Sequence, residues 1–140
     1  MSKVAVVYWS GTGNTETMAA SVLQGAKAKG AEAEMMTAAE FDASMVDAYD
    51  GIAFGCPSMG AEELEEMEFA PMFESCEGKL SGKKLVLFGS YGWGDGEWMR
   101  NWEETCESCG ASMAADFVIC CGAPDDDVLT ECEALGAALA

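Results

Sequence analysis

The apolar run Val4-Ala5-Val6-Val7 passes directly into Tyr8-Trp9-Ser10-Gly11-Thr12-Gly13-Asn14-Thr15-Glu16, and then into a stretch with helical spacing. A buried strand, a loop of small hydroxylated residues and a helix, in that order, build a cradle for an anion. Glycine lets the main chain come close to a bound group. Ser10, Thr12, Asn14 and Thr15 add side-chain donors where the helix presents N–H groups that have no intrahelical acceptor. Residue type excludes two common nucleotide loops. A P-loop needs a Gly-Lys-Ser/Thr ending, and this loop has no lysine; Glu16 stands where a dinucleotide fingerprint starting at Gly11 requires its third glycine. What remains is a neutral site for a terminal phosphate.

The rest of the chain repeats the strand-to-helix alternation. Strands are predicted at Lys3–Tyr8, Glu32–Met36, Gly51–Cys56, Lys84–Gly89 and Met113–Cys121, each short and bounded by turn residues. Helices are predicted at Asn14–Lys29, Glu63–Cys76, Gly96–Cys109 and Asp125–Leu139, with a short one near Phe41–Met45. Gly30 supplies a C-terminal stop for the first helix, and Asp125-Asp126-Asp127 after Pro124 oppose the positive end of the last. The acidic run from Glu62 to Glu68 is interrupted by Leu64 and Met67, which reads as one face of a helix and not a disordered tail. Alternation with right-handed crossovers implies a doubly wound α/β sandwich, a single domain over residues 1–140, with ligands at the carboxyl ends of the strands.

Composition narrows the partners. Twenty-five acidic residues against 7 basic ones give a formal charge of −18, which argues against nucleic acid and anionic membranes and favours basic protein surfaces reached by long-range attraction. No apolar stretch approaches the roughly 18 residues of a membrane span, and no signal-peptide pattern opens the chain, so a cytoplasmic protein is expected. Seven cysteines, an odd count, several of them inside apolar segments, fit a reducing compartment better than a disulfide framework. There is no histidine, which removes histidine-based metal sites and Ser-His or Cys-His catalysis. Cys106-Glu107-Ser108-Cys109 has no second Cys-x-x-Cys to complete a metal site and is read as structural, as is Cys120-Cys121. Arg100 has no cysteine six residues before it, so a Cys-x5-Arg phosphatase loop is absent, and Cys56 stands where a receiver domain would carry its aspartate.

Three loops should therefore meet at one crevice. The second is Cys56-Pro57-Ser58-Met59-Gly60-Ala61-Glu62-Glu63, and the third is Gly89-Ser90-Tyr91-Gly92-Trp93-Gly94-Asp95-Gly96. Flanking glycines would weaken a strand interior, so Trp93 is read as displayed for contact. A planar aromatic ligand held between the indole of Trp93 and the thioether of Met59 would gain stacking and sulfur–aromatic contact while its phosphate rested in the first loop. The plain alternative is that both side chains pack beneath their own loops.

Taken in order and at this spacing, the three loops resemble the flavin loops of the short-chain flavodoxins of anaerobic bacteria, and the resemblance spans essentially the whole chain. It implies a flavodoxin-like three-layer sandwich with a five-stranded parallel sheet in the order 2-1-3-4-5. It further implies a monomer with noncovalently bound flavin mononucleotide (FMN), working as a low-potential semiquinone/hydroquinone shuttle between redox proteins such as reductases and ferredoxin-dependent enzymes. No catalytic or metal-ligating residue is implied. By position, Ser10, Gly11, Thr12, Gly13, Asn14 and Thr15 would hold the phosphate. Met59 and Trp93 would flank the ring, with Ser58, Ser90 and Tyr91 beside it. Glu62 would accept from the ring N3–H, main-chain groups near Gly92 and Gly94 would donate to the pyrimidine carbonyl, and the Gly60 carbonyl would turn towards N5.

If that carbonyl requires a type II turn, Ala61 fits the following place less well than glycine, and Ala61→Gly is expected to stabilise the semiquinone. Gly122 lacks the polar side chain some flavodoxins offer there. With no cation in the cradle, the phosphate, Glu62, Glu63 and Asp95 would oppose added electrons. A charge at ~10 Å in an effective dielectric of ~40 is worth roughly 0.8 kcal/mol, or about 35 mV per electron. The alternatives are a small FMN-dependent reductase, a ribonucleotide-reductase-activating flavoprotein, or a phosphate-ligand binding module without redox function.

Overall fold

The computed structural model describes residues 2–59 and 63–140. Its parallel sheet is built from β1 (Lys3–Tyr8), β2 (Glu32–Thr37), β3 (Gly51–Gly55), β4 (Lys84–Tyr91), β5 (Ser112–Met113) and β6 (Val118–Cys121). The order is β2-β1-β3-β4-β5, with β6 also paired to β4. The helices are α1 (Asn14–Ala28), α2 (Phe69–Cys76), α3 (Glu97–Ser108) and α4 (Asp126–Leu139). The short helix expected near Phe41–Met45 is instead a pair of 3-10 turns at Ala38–Glu40 and Ala43–Ala48.

Strand periodicity divides the core into two layers. Val4, Val6 and Tyr8 of β1 face one cluster with Met18, Val22, Leu135 and Leu139 of α1 and α4; Ala5 and Val7 face the other, with Phe69, Phe73, Met99 and Trp102 of α2 and α3. Each layer thus receives alternate residues of the same strand. Helices α1 and α4 approach backbone to backbone. A Cβ at Gly25 would fall 1.9 Å from the Glu133 carbonyl oxygen, and one at Gly136 would fall 1.9 Å from that of Val22. The two glycines are therefore required by contact.

Two expectations are corrected. The single edge strand Met113–Cys121 is broken: β4 pairs Leu85 with Met113 and Phe88 with Val118, so two extra residues on the edge side are looped out. That stretch holds small alanines and Asp116, and an edge bulge with an outward charge blocks further strand pairing. The helix expected from Glu63 begins only at Phe69. Starting at Glu63 would put Pro71 in the helix interior, against the carbonyl of Met67; starting at Phe69 places it in the first turn, where proline is tolerated. Among the described residues, no helix is long and apolar enough to cross a membrane.

Candidate functional site

The carboxyl ends of β1, β3 and β4 open onto one cleft of about 260 Å³. Gly11, Thr12 and Asn14 of the first loop line it, with Ser58 and Met59 of the second and Ser90, Tyr91 and Gly92 of the third. The loops are stitched to one another by main-chain bonds. Trp9 N–H donates to the Gly55 carbonyl at 3.0 Å, Ser58 N–H to that of Ser90 at 3.0 Å, and Gly122 N–H to that of Tyr91 at 2.8 Å.

The first loop is folded by its own residues. Ser10 Oγ accepts from the N–H of Gly13 at 3.0 Å and of Glu16 at 3.3 Å, and Gly13 caps α1 with φ of +97°, a left-handed torsion that favours glycine. Ser10 thus pins the loop with its lone pairs. Ser10 and Gly13 line an adjoining polar cavity of about 390 Å³ together with Glu16 and Glu68, behind the wall formed by Trp9 and Gly11. Thr15 is buried, its Oγ1 lying 3.4 Å from Ser90 Oγ, so it ties the first loop to the third. Tyr8 donates to Glu16 Oε2 at 2.9 Å; burial, then the hydrogen bond and charge of Glu16, push its phenol above 10.0.

The second loop turns back on itself. Met59 and Glu63 exchange both main-chain hydrogen bonds, at 2.8 and 2.9 Å. Gly60, Ala61 and Glu62, between them, lie outside the described residues. At the base of the loop the buried Cys56 thiol receives the Glu65 N–H at 3.3 Å, and burial pushes that thiol up to about 12, so it packs instead of reacting. Glu65 is nearly buried. Its carboxylate accepts from the N–H groups of Met67 at 2.8 Å, Glu68 at 2.7 Å and Phe69 at 2.8 Å. Burial alone would raise this carboxyl; the donors of Phe69, Glu68 and Met67 outweigh it and hold the group below 4.5. From Glu63 to Glu68 the acidic run is therefore a turn gathered on Glu65, not the helix face expected for it.

Ser90 and Tyr91, expected in the third loop, belong to the end of β4, which runs past the expected strand boundary at Gly89. Beyond them Asp95 pairs with Arg100, Oδ1 to Nη2 at 3.0 Å, and its carbonyl accepts from Nη1 at 3.0 Å. Tyr91 packs against Trp98 with ring centroids 5.5 Å apart, and Trp98 Nε1 donates to the Cys56 carbonyl at 3.2 Å. Trp93 is 59% exposed and Met59 37%, so Trp93 does not pack beneath its loop. Neither Trp93 nor Gly94 lines the cleft as it stands.

Three cleft residues carry no role in the sequence reading: Trp9, Pro57 and Gly122. Trp9 is held by its Nε1, which donates to Glu68 Oε1 at 3.1 Å, a contact across 59 residues that no local pattern signals. Gly122 was noted only for a missing polar side chain. A Cβ there would meet nothing within 4 Å, so the glycine leaves open space on that wall. The cysteines are all free thiols; Cys120 packs against Met18 Sδ at 3.8 Å, whereas Cys121 is exposed, which corrects the packing role expected for the pair.

The donor set fits a phosphorylated, planar ligand. One wall offers hydroxyls, an amide and a helix N-terminus; the others offer a thioether, a phenol ring and glycines that leave room for a flat group. A doubly wound sheet with such a cleft at its carboxyl edge defines a class, the nucleotide-binding α/β proteins. The flavodoxin family model matches residues 6–136. The chain is 44% identical over 137 residues to the flavodoxin of Megasphaera elsdenii, covering 98% of both chains, and 42% identical over 121 residues to that of Clostridium beijerinckii, covering 86% and 88%. The solution structure of two-electron reduced Megasphaera elsdenii flavodoxin superposes with a TM-score of 0.90 at 45% identity over 97% of each chain. The chain belongs to the flavodoxin family, and with it to the FMN-binding electron carriers.

Proposed function

We propose that this chain is a low-potential, one-electron carrier and not a substrate-converting enzyme. In this reading it acts as a single-domain monomer in the cytoplasm and docks on basic surfaces of reductases and ferredoxin-dependent enzymes. The observation that carries the reading is the convergence of three separate loops on one cleft whose phosphate side holds hydroxyls and amides but no cation. Bound FMN supplies the redox chemistry, accepting and releasing electrons one at a time.

The chain's residues set how that chemistry runs. Ser10, Thr12, Asn14 and Thr15, with the main-chain N–H of Gly11 and, once it leaves Ser10 Oγ, that of Gly13, would hold the phosphate dianion without neutralising it. Met59 and Trp93 flank the ring, Ser58, Ser90 and Tyr91 close its edges, and the main chain at Gly92 and Gly94 donates to the pyrimidine carbonyl. Trp93, exposed beside the cleft, would cover the outer face of the bound ring. By the family resemblance Glu62 would accept a hydrogen bond from the ring and the Gly60–Ala61 peptide would offer it a carbonyl; both roles fall on residues outside those described. Glu62, Glu63 and the uncompensated phosphate oppose added charge and lower the more negative potential. Asp95 contributes less than the sequence alone implies, because Arg100 shares its charge.

Titrating apoprotein into FMN while following flavin fluorescence tests the reading. One FMN per chain with strong quenching supports it, and no uptake overturns it. Steady-state oxidation of a nicotinamide cofactor by the loaded protein alone would instead mark a reductase.

A further inference from the structure

We propose that Glu65 is the positioning residue of the cofactor cleft, a single buried residue whose carboxylate folds the turn at 67–69 and whose main-chain N–H fastens that turn to the loop base, so that two walls, Met59 and Trp9, are held in place. The proposal rests on the FMN reading above. Glu65 does not line the cleft, so it acts through other residues. It is 6% exposed, and the two ion pairs among the described residues, Lys79–Asp47 and Arg100–Asp95, lie elsewhere. A carboxylate so placed is tolerable only where N–H donors satisfy it, and here the donors are the main chain of residues 67–69. Turn and carboxylate therefore require one another.

Two routes lead from this turn to the cleft. Along the first, the Glu65 N–H fastened to Cys56 Sγ closes the base of the second loop, and the reciprocal Met59–Glu63 pair closes it again nearer the tip. With the base closed, Met59 is held at the wall. Along the second, the turn that Glu65 folds swings Glu68 back so that its Oε1 meets Trp9 Nε1 at 3.1 Å. The indole wall is set from a residue whose own backbone N–H is bound by Glu65. One buried residue thus fixes a thioether in the loop after β3 and an indole in the loop after β1. Supporting groups one step removed from a site are commonly worth about tenfold or more in affinity.

The test compares Glu65→Gln with the charge-matched control Glu74→Gln on α2, measuring FMN dissociation constants by fluorescence and both midpoint potentials. The expected result is about tenfold weaker FMN binding and shifted potentials in Glu65→Gln, with far-UV circular dichroism retained, while Glu74→Gln stays within twofold of the parent. Parent-like affinity and potentials in Glu65→Gln overturn the proposal. Native-state hydrogen exchange of the parent decides the matter if that variant does not fold. The amides of Met59, Glu63, Met67 and Glu68 should open together at one free energy, and Met59 and Glu63 opening while 67–68 stay protected would overturn it. A parent apoprotein that takes up no FMN at all defeats the functional reading instead.

Discussion

Residues 9–13, after β1, are folded by their immediate neighbours, whereas residues 63–68, in the loop after β3, are folded around the buried Glu65 and fastened to Cys56 at the start of that loop. In the first case Ser10 Oγ and the left-handed Gly13 lie within six residues of everything they order. In the second, Glu65 gathers the N–H groups of 67–69, receives support from Cys56 nine residues earlier, and sends Glu68 across to Trp9. The difference separates two tasks. A phosphate site needs a rigid, preformed set of donors, which a helix N-terminus and one hydroxyl provide. A ring site needs a wall that keeps its shape, and a turn pinned at its base holds Met59 in that wall.

Removing the ligand's phosphate should break this comparison most severely. If the first loop is a phosphate cradle, riboflavin, identical in its ring, binds about a thousandfold more weakly than FMN. Several charge-assisted hydrogen bonds of about 1.5–3 kcal/mol each are lost, and only part of that sum survives competition with water. Fluorescence titration with both ligands measures it, and equal affinities would assign the cradle another role. Next in size, Glu65→Gln should lower the apoprotein's unfolding free energy by about 2–3 kcal/mol in urea, since an amide leaves one buried N–H donor facing another donor. Ser10→Ala, by contrast, should cost about 1 kcal/mol, because its loop is solvated and keeps its helix.

Acid should distinguish the two loops without mutation. The folded carboxyl of Glu65 lies below its ordinary value of 4.5, so its contribution to stability is complete above that value and is lost as pH falls through the lower folded one. Holoprotein is therefore expected to release FMN on acidification below about pH 4.5, with the Met59 wall loosening, and Glu65→Gln should lose part of that pH dependence. Identical acid profiles for parent and variant would detach the group from this behaviour. The smallest effect concerns the potentials. Glu63→Gln should raise the more negative one by about 35 mV or less and Asp95→Asn by less still, because Arg100 already offsets Asp95.

The same contrast explains what could be read in the sequence. The cradle was legible because its chemistry is written in consecutive residues: Ser10, Gly11, Thr12, Gly13 and Asn14 follow an apolar strand and open a helix. The doubly wound sandwich and the meeting of the three loops followed from alternation and connection rules, and the strand order from the family resemblance. The turn at 63–68 was misread as helix because its glutamates have the composition of a solvated helical face, and only the tertiary environment shows that one of them is buried. Pro71 carried the local signal that the helix starts late. Trp9 as a wall, Gly25 against Gly136, and the looped-out residues between β5 and β6 depend on contacts between distant segments, which periodicity does not encode.

An anaerobic spectroelectrochemical titration of the FMN-loaded protein tests the central claim most directly. The account predicts one FMN per chain and two separate one-electron steps, the second at a potential well below that of free FMN, because the cradle leaves the phosphate charge in place. A single two-electron wave at the potential of free FMN would contradict it.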